Sequence, residues 1–74
     1  MDYVQMKEAR EELGLSLQQM ATLLETDAQS VRRMEMPPDK STAREPAVRM
    51  VRLITAMLDG WRPEDFPKEE THAE

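Results

Sequence analysis

Three side chains with strong hydrogen-bonding capacity, Gln29, Arg32 and Arg33, are spaced to share one face of an α-helix. At about 100° per residue they lie opposite Val31 and Met34, so the helix has one polar and one apolar face. An amide can form two hydrogen bonds with adenine, and a guanidinium can bind guanine or a phosphate. The spacing therefore favours a surface that contacts nucleic acid. The same residues also fit the solvated outer face of an ordinary surface helix.

The residues before this helix predict another helix, which precedes it in the chain, and a short turn between the two. Ser16 is a good N-cap for a helix over Leu17–Leu24, and Gln19 three residues later completes a capping box. Three residues, Glu25–Asp27, then lead into a helix over Ala28–Glu35. Two helices joined in this way, the second with a polar outer face, are typical of the helix-turn-helix motif that reads the DNA major groove. An αα-hairpin with no role on DNA is the alternative.

A longer pattern surrounds these two helices. Its members are Arg10, Leu13, Gly14, Leu15, Ser16, Met20, Ala21, Leu24, Ser30, Val31, Met34 and Glu35. In this register, residues Lys7–Glu35 resemble the Cro/Xre family of helix-turn-helix repressors of phages and bacteria, and a weaker likeness continues over Arg44–Leu58. The resemblance implies an all-α fold, a compact four- to five-helix domain like that of lambda repressor.

The resemblance also implies which residues contact DNA. The implied set comprises Gln18 on the second helix, Ala28, Gln29, Ser30, Arg32 and Arg33 on the recognition helix, and Lys40, Ser41 and Arg44 in the loop after it. Gln29 is the first choice for a base reader, whereas Ala28 can touch only a thymine methyl group. The loop residues fit a phosphate contact and a merely solvated loop equally well.

Three residues depart from the family pattern. Ala28 opens the recognition helix without a polar group. Leu17 replaces a glutamine that often binds a phosphate, and its position on the buried arc predicts that this contact is lost. Glu25 replaces the glycine of the turn. Either Glu25 adopts a left-handed conformation, which is unfavourable for a residue with a Cβ, or the turn is built differently.

Arg10 and Glu35 form a further pair of interest. Arg10 lies at the edge of the apolar face of the first helix, and Glu35 ends the recognition helix on its inner side. In many family members these positions form a partly buried salt bridge. We therefore expect an internal brace here rather than a DNA ligand at Arg10.

The segment after the loop predicts a long helix, from Pro46 to Leu58, with an unusually wide apolar arc. We expect this surplus to form a two-fold dimer contact, since such DNA readers bind paired half-sites. The predicted contact consists of Met50, Leu53, Ile54, Met57, Leu58 and Trp61. Coverage of the same face by Trp61 and Phe66 of the same chain is the alternative, and residues 63–65 could start one further helical turn.

Composition limits the classes of protein. The 74 residues suffice for one small domain, expected over residues 1–66, followed by a disordered acidic tail over 67–74. There is no cysteine, so neither a disulfide framework nor a thiolate metal site is possible. We expect no cofactor, no metal and no enzymatic activity, because the single histidine, His72, lies in the tail. The residues show neither a signal peptide nor a membrane span, which favours a cytoplasmic protein, associated with the nucleoid when bound to DNA.

Net charge is the main argument against DNA binding, since the chain carries -5 and a pI of about 4.8. The charge is unevenly distributed, however. Residues 28–54 hold six basic against three acidic side chains, whereas residues 1–27 and 55–74 each hold two against six. The basic middle coincides with the expected DNA-binding face. The sequence thus predicts a dimeric transcriptional repressor that binds double-stranded DNA. The alternative is a protein-binding module of the same fold, an antitoxin or an acidic inhibitor of a DNA-binding protein.

Overall fold

Four helices and no strand are formed by residues 1–67, which are the residues that the computed structural model describes. They are α1 (Tyr3–Glu12), α2 (Leu17–Leu24), α3 (Ala28–Met34) and α4 (Val48–Leu58). The all-α prediction is confirmed for this part of the chain. The predicted disordered tail, apart from Pro67, lies outside the described residues.

Side-chain caps fix where the first three helices begin. The hydroxyl of Ser16 accepts the N–H of Gln19 at 3.0 Å, and the Gln19 side chain accepts the N–H of Ser16 at 2.9 Å. This is the predicted capping box. Asp2 and Gln5 form a second capping box at the start of α1, with distances of 2.8 and 3.0 Å. At the start of α3, the Asp27 carboxylate accepts the N–H of Ser30 at 2.7 Å, so all three helices begin at a hydrogen-bonded cap.

The Asp27 cap makes stability depend on pH. Its hydrogen bonds with Ser30, followed by the nearby charge of Arg33, lower the pKa of Asp27 below its ordinary value of 3.8. As the pH falls, Asp27 is therefore protonated in the unfolded chain before it is protonated in the folded one. The cap contributes its full stabilisation above pH 3.8, and this stabilisation is lost as the pH falls through the lower pKa of the folded state. Asp27→Asn keeps a good cap without the titration. Chemical denaturation at several pH values should show the stability of the wild type falling towards that of the variant in acid. A difference that stays constant with pH would contradict this.

The turn between α2 and α3 contains a residue in the left-handed conformation. Glu25 has φ 60° and ψ 44°, and it is the one non-glycine residue with positive φ among residues 1–67. The N–H of Thr26 returns to the carbonyl of Ala21 at 2.9 Å, which closes the end of α2. Of the two turns predicted as possible at this position, the one with a left-handed Glu25 therefore forms. The family's glycine would adopt it with less strain.

Replacing this residue by glycine should stabilise the protein. Glu25→Gly relieves the contact of Cβ with the following carbonyl oxygen, and we expect a net gain of about 1 kcal/mol in the free energy of unfolding. For a domain of this size, that gain corresponds to a rise in Tm of about 4–8 °C. Glu25→Ala is the matched control, because it removes the charge and keeps the strained Cβ. If the alanine variant gained as much as the glycine variant, charge rather than conformation would be the cause.

One apolar core joins the four helices. The buried residues are Met6, Ala9, Leu13, Leu15, Met20, Ala21, Leu23, Leu24, Val31, Met34, Met50, Ile54 and Met57. The fully buried Ala21 allows α2 and α3 to approach closely. The core fixes the orientation of α3, since Val31 and Met34 point into it. None of the helices in residues 1–67 is long and apolar enough to cross a membrane.

The last helix differs from its prediction in two respects. It begins at Val48 rather than Pro46, because Ala47 is still extended and its carbonyl accepts the first N–H groups of the helix. Three of the six residues predicted for a dimer contact, Met50, Ile54 and Met57, are 7%, 0% and 1% exposed. These three side chains fill the chain's own core and have almost no surface left for a partner.

The segment after α4 covers part of the remaining apolar face. Phe66 packs against the core, and the Arg62 guanidinium lies 4.7 Å from the centre of its ring. Residues 63–66 form a single hydrogen-bonded turn, closed by the N–H of Phe66 on the carbonyl of Pro63, rather than a helix. Trp61 lies beside Leu53 and Ala56 of α4 but stays 48% exposed. Of the two aromatic residues predicted as a cap, Phe66 is the one that packs against the core.

Candidate nucleic-acid interface

The outward face of α3 presents the side chains that the helical spacing predicts. Gln29 and Arg32 are exposed and Arg33 is half-buried, whereas Val31 and Met34 are buried on the opposite side. The helix is held from both sides, by the Asp27 cap at its start and by the core beneath it. An amide and a guanidinium are therefore displayed on a short, rigid helix, where they can form paired hydrogen bonds with base edges.

Arg33 differs from its neighbour Arg32 in its surroundings. Its Nε is buried and has no hydrogen-bond partner among the described residues. A buried donor without a partner is unfavourable for folding by about 1–3 kcal/mol. Its positive charge also helps to lower the pKa of the Asp27 carboxyl group. Arg33 is thus partly engaged with its own helix, and Arg32 is the more exposed of the two cations.

The loop after α3 folds back onto the end of that helix. The carbonyl of Arg33 accepts two backbone N–H groups, from Met36 at 3.3 Å and from Arg44 at 3.1 Å. These bonds satisfy one of the carbonyls that every helix leaves free at its C-terminus. They also hold Arg44, whose side chain is exposed, directly beside α3. Lys40 and Ser41 are exposed on the turns between these two anchors.

The remaining predicted contact residues lie at the start of α2 and of α3. Gln18 is exposed on α2, and Ala28 and Ser30 are half-buried on the first turn of α3. Leu17 is partly buried and packs against the core, as its place on the apolar arc predicts. At this position α2 therefore offers an apolar side chain to the core where the family pattern has a phosphate ligand.

Arg10 and Glu35 form the ion pair that the sequence predicts. Arg10 Nε donates to Glu35 Oε2 at 2.7 Å and the second guanidinium nitrogen donates to Oε1 at 3.1 Å, which is a bidentate arrangement. The side chains are only 16% and 9% exposed. The hydrogen bond with Glu35 raises the pKa of Arg10, which therefore keeps its charge at every accessible pH.

A third hydrogen bond of Arg10 has no counterpart among the sequence predictions. The guanidinium also donates to the carbonyl of Leu15 at 3.0 Å. One side chain on α1 thus holds both the α1–α2 connection and the end of α3. No sequence signal marks this bond, since it depends on where the backbone of the connection passes.

Several exposed cations near α3 have no carboxylate in contact within residues 1–67. Among residues 1–67 the one ion pair within 4 Å is that of Arg10 and Glu35. The exposed cations Arg32, Lys40 and Arg44 are therefore not neutralised by a direct carboxylate contact within this part of the chain. Within the same residues, no group of three or more His, Cys, Asp or Glu side chains is placed to hold a metal ion.

Comparison of the chain with protein-family models, with curated proteins and with solved structures found no match. The resemblance to the Cro/Xre family accordingly depends on the pattern of residues over Lys7–Glu35.

Proposed function

We propose that this chain is a sequence-specific DNA-binding transcriptional regulator of the Cro/Xre type, with α2 and α3 as its helix-turn-helix. In this proposal α3 lies in the major groove. Gln29 and Arg32 contact base edges, while Arg44, Lys40 and Ser41 contact the adjacent phosphates. Gln18, Arg33 and the first turn of α3 complete the predicted contact surface.

The observation that carries the proposal is the joining of the loop to the recognition helix. The backbone bond between Arg44 N–H and the carbonyl of Arg33 fixes an exposed cation beside a helix that displays Gln29 and Arg32. Base-reading groups need neighbouring phosphate contacts to set their register on the duplex. Cations on a helix and on the loop tied to its end supply both kinds of contact on one surface.

Regulation would follow from occupancy of a promoter. We propose that two copies bind paired half-sites about one helical turn apart and exclude RNA polymerase. The acidic residues before and after the basic middle would weaken nonspecific binding, so affinity would depend on specific contacts. Repression of the chain's own promoter is the simplest form of such control.

A fluorescence-anisotropy titration tests this proposal. The labelled duplex is the DNA immediately upstream of the chain's own gene, and a scrambled duplex of the same composition is the control. We expect tight binding to the first and weak, strongly salt-dependent binding to the second. Failure to bind either duplex at low salt would contradict DNA binding altogether.

A protein-binding role is the second candidate, and the exposed acidic side of α1 favours it. Glu8, Glu11 and Glu12 are all exposed there, and the chain as a whole carries -5. Such a surface could bind the DNA-binding face of another protein as an acidic inhibitor, or the chain could serve as an antitoxin whose toxin covers α4. If the chain is an acidic inhibitor, neutralising the three glutamates to glutamine should abolish function, whereas charge reversal at Arg32 should leave it unchanged.

A further inference from the structure

An open groove lies along the side of α4 that faces away from α1. It is lined by Arg49, Arg52, Leu53, Ala56 and Trp61. Its floor is apolar, formed by the half-buried Leu53 and the small side chain of Ala56. Arg49 lies on the first turn of α4, whereas Trp61 comes three residues after the last residue of the helix.

The backbone holds Trp61 in place while its side chain remains half exposed. Gly60, with φ +111°, turns the chain after α4, and the N–H of Trp61 returns to the carbonyl of Ala56 at 3.0 Å. Arg62 then donates to the carbonyls of Met57 at 2.6 Å and Trp61 at 2.9 Å. A tryptophan whose backbone is fixed by hydrogen bonds and whose side chain stays 48% exposed has the character of a binding hot spot.

The charges beside the groove change sign along the helix. Arg49 and Arg52 are exposed on its first half, and Asp59 caps its C-terminal end. Arg52 and Asp59 are seven residues apart, about two helical turns, so they lie on nearly the same side. The C-terminal end of a helix also carries partial negative charge. This side of α4 is therefore basic at its start and acidic at its end.

We propose that this groove is the contact between two copies of the chain, which pack their α4 helices antiparallel about a two-fold axis. An isologous pairing centred between Thr55 and Ala56 places Arg52 of each copy opposite the partner's Asp59. The same pairing brings Arg49 near the partner's Trp61, where a cation–π contact can form. Ala56 lies beside the crossing point and lets the helices approach. The opposed charges favour a second copy in antiparallel orientation over a parallel one, in which like charges would meet.

This inference rests on the proposed function, since paired half-sites call for a two-fold dimer. It also replaces the contact predicted from the sequence. Of the six residues predicted, the pairing uses Leu53 and Trp61 and leaves Met50, Ile54 and Met57 in the core. It adds the charged pair of Arg52 and Asp59.

A charge-swap experiment tests the contact by sedimentation equilibrium of the whole chain. We expect the wild type to be a dimer, and we expect Arg52→Glu or Asp59→Arg alone to raise the dimer dissociation constant about ten-fold or more. The double variant restores an attractive pair with reversed sign, so its dissociation constant should return towards that of the wild type. Trp61→Ala should weaken the dimer as well. Lys7→Glu, which makes the same charge change as Arg52→Glu on the exposed surface of α1, is the control.

Two results would overturn the inference. One is a wild type that is monomeric, which would leave the groove to a different protein partner. The other is a dimer that neither single reversal weakens, or that the double variant does not restore. Because Arg52 and Asp59 are both exposed, we expect their substitution to leave the fold intact, and circular dichroism of each variant checks this. Binding of the monomeric variants to a half-site duplex is measured separately. Binding to a half-site by a protein that does not dimerise would contradict only the proposed dimer contact. A dimer that does not bind DNA would contradict only the proposed function.

Discussion

Arg10→Ala is expected to lower the free energy of unfolding by about 3–5 kcal/mol, because it leaves the Glu35 carboxylate buried without its partner. Glu35 is 9% exposed and accepts two hydrogen bonds from Arg10, at 2.7 and 3.1 Å. The variant also frees the carbonyl of Leu15. Such a loss is a large part of the stability of a small domain, which is typically about 5–15 kcal/mol.

Urea denaturation monitored by circular dichroism measures this effect. Arg10→Lys is the matched control, since it keeps the charge but not the bidentate geometry, and it should fall between the wild type and the alanine variant. Replacing both residues together, as Arg10→Met with Glu35→Leu, should recover much of the loss because no buried charge remains. An Arg10→Ala protein as stable as the wild type would show that the pair does not brace the fold.

The second large effect is expected at Arg32, where Arg32→Glu should reduce affinity for the specific duplex about 100-fold or more. The substitution removes a contact worth about 1–3 kcal/mol and places a negative charge against the phosphates. Stability should hardly change, because Arg32 is exposed and lies away from the core. Arg33 serves less well for this test, since its Nε is buried and its charge acts on the Asp27 cap.

Anisotropy titrations at several salt concentrations measure the change, together with two comparison variants. Lys7→Glu alters net charge equally from the exposed surface of α1, and we expect only a small loss there. Gln29→Ala removes a base contact without changing charge, so it should relax the preference at one base pair while leaving the salt dependence unaltered. If the three variants lost affinity equally, overall charge rather than the face of α3 would govern binding.

Much of the local structure could be predicted, because it depends on residues close together in sequence. The capping box of Ser16 and Gln19 follows from two residues three positions apart. At Glu25 the resemblance leaves two turns open, and the structure forms the left-handed one. The same rule applied to Asp2 and Gln5 would have found the cap of α1 as well. The pairing of Arg10 with Glu35, 25 residues apart, follows instead from the resemblance, since no local pattern joins them.

The orientation of α4 could not be predicted in the same way. Helical periodicity shows that its apolar arc is wide, but it does not show which part of the arc the other helices cover. The structure turns Met50, Ile54 and Met57 into the core and leaves Leu53 and Trp61 beside an open groove. The predicted start of α4 is also two residues early, because a proline is compatible with the first turn of a helix but does not show by itself that a helix begins there.

Selection of bound sequences from a random pool of duplexes tests the central claim, that α3 reads DNA sequence, and it requires no known operator. We expect the wild-type chain to enrich one short motif, repeated as two half-sites about one helical turn apart. Gln29→Ala should enrich a motif relaxed at one position of each half-site. A pool that stays random after repeated rounds at low salt would contradict the claim and would direct attention to the acidic surface of α1.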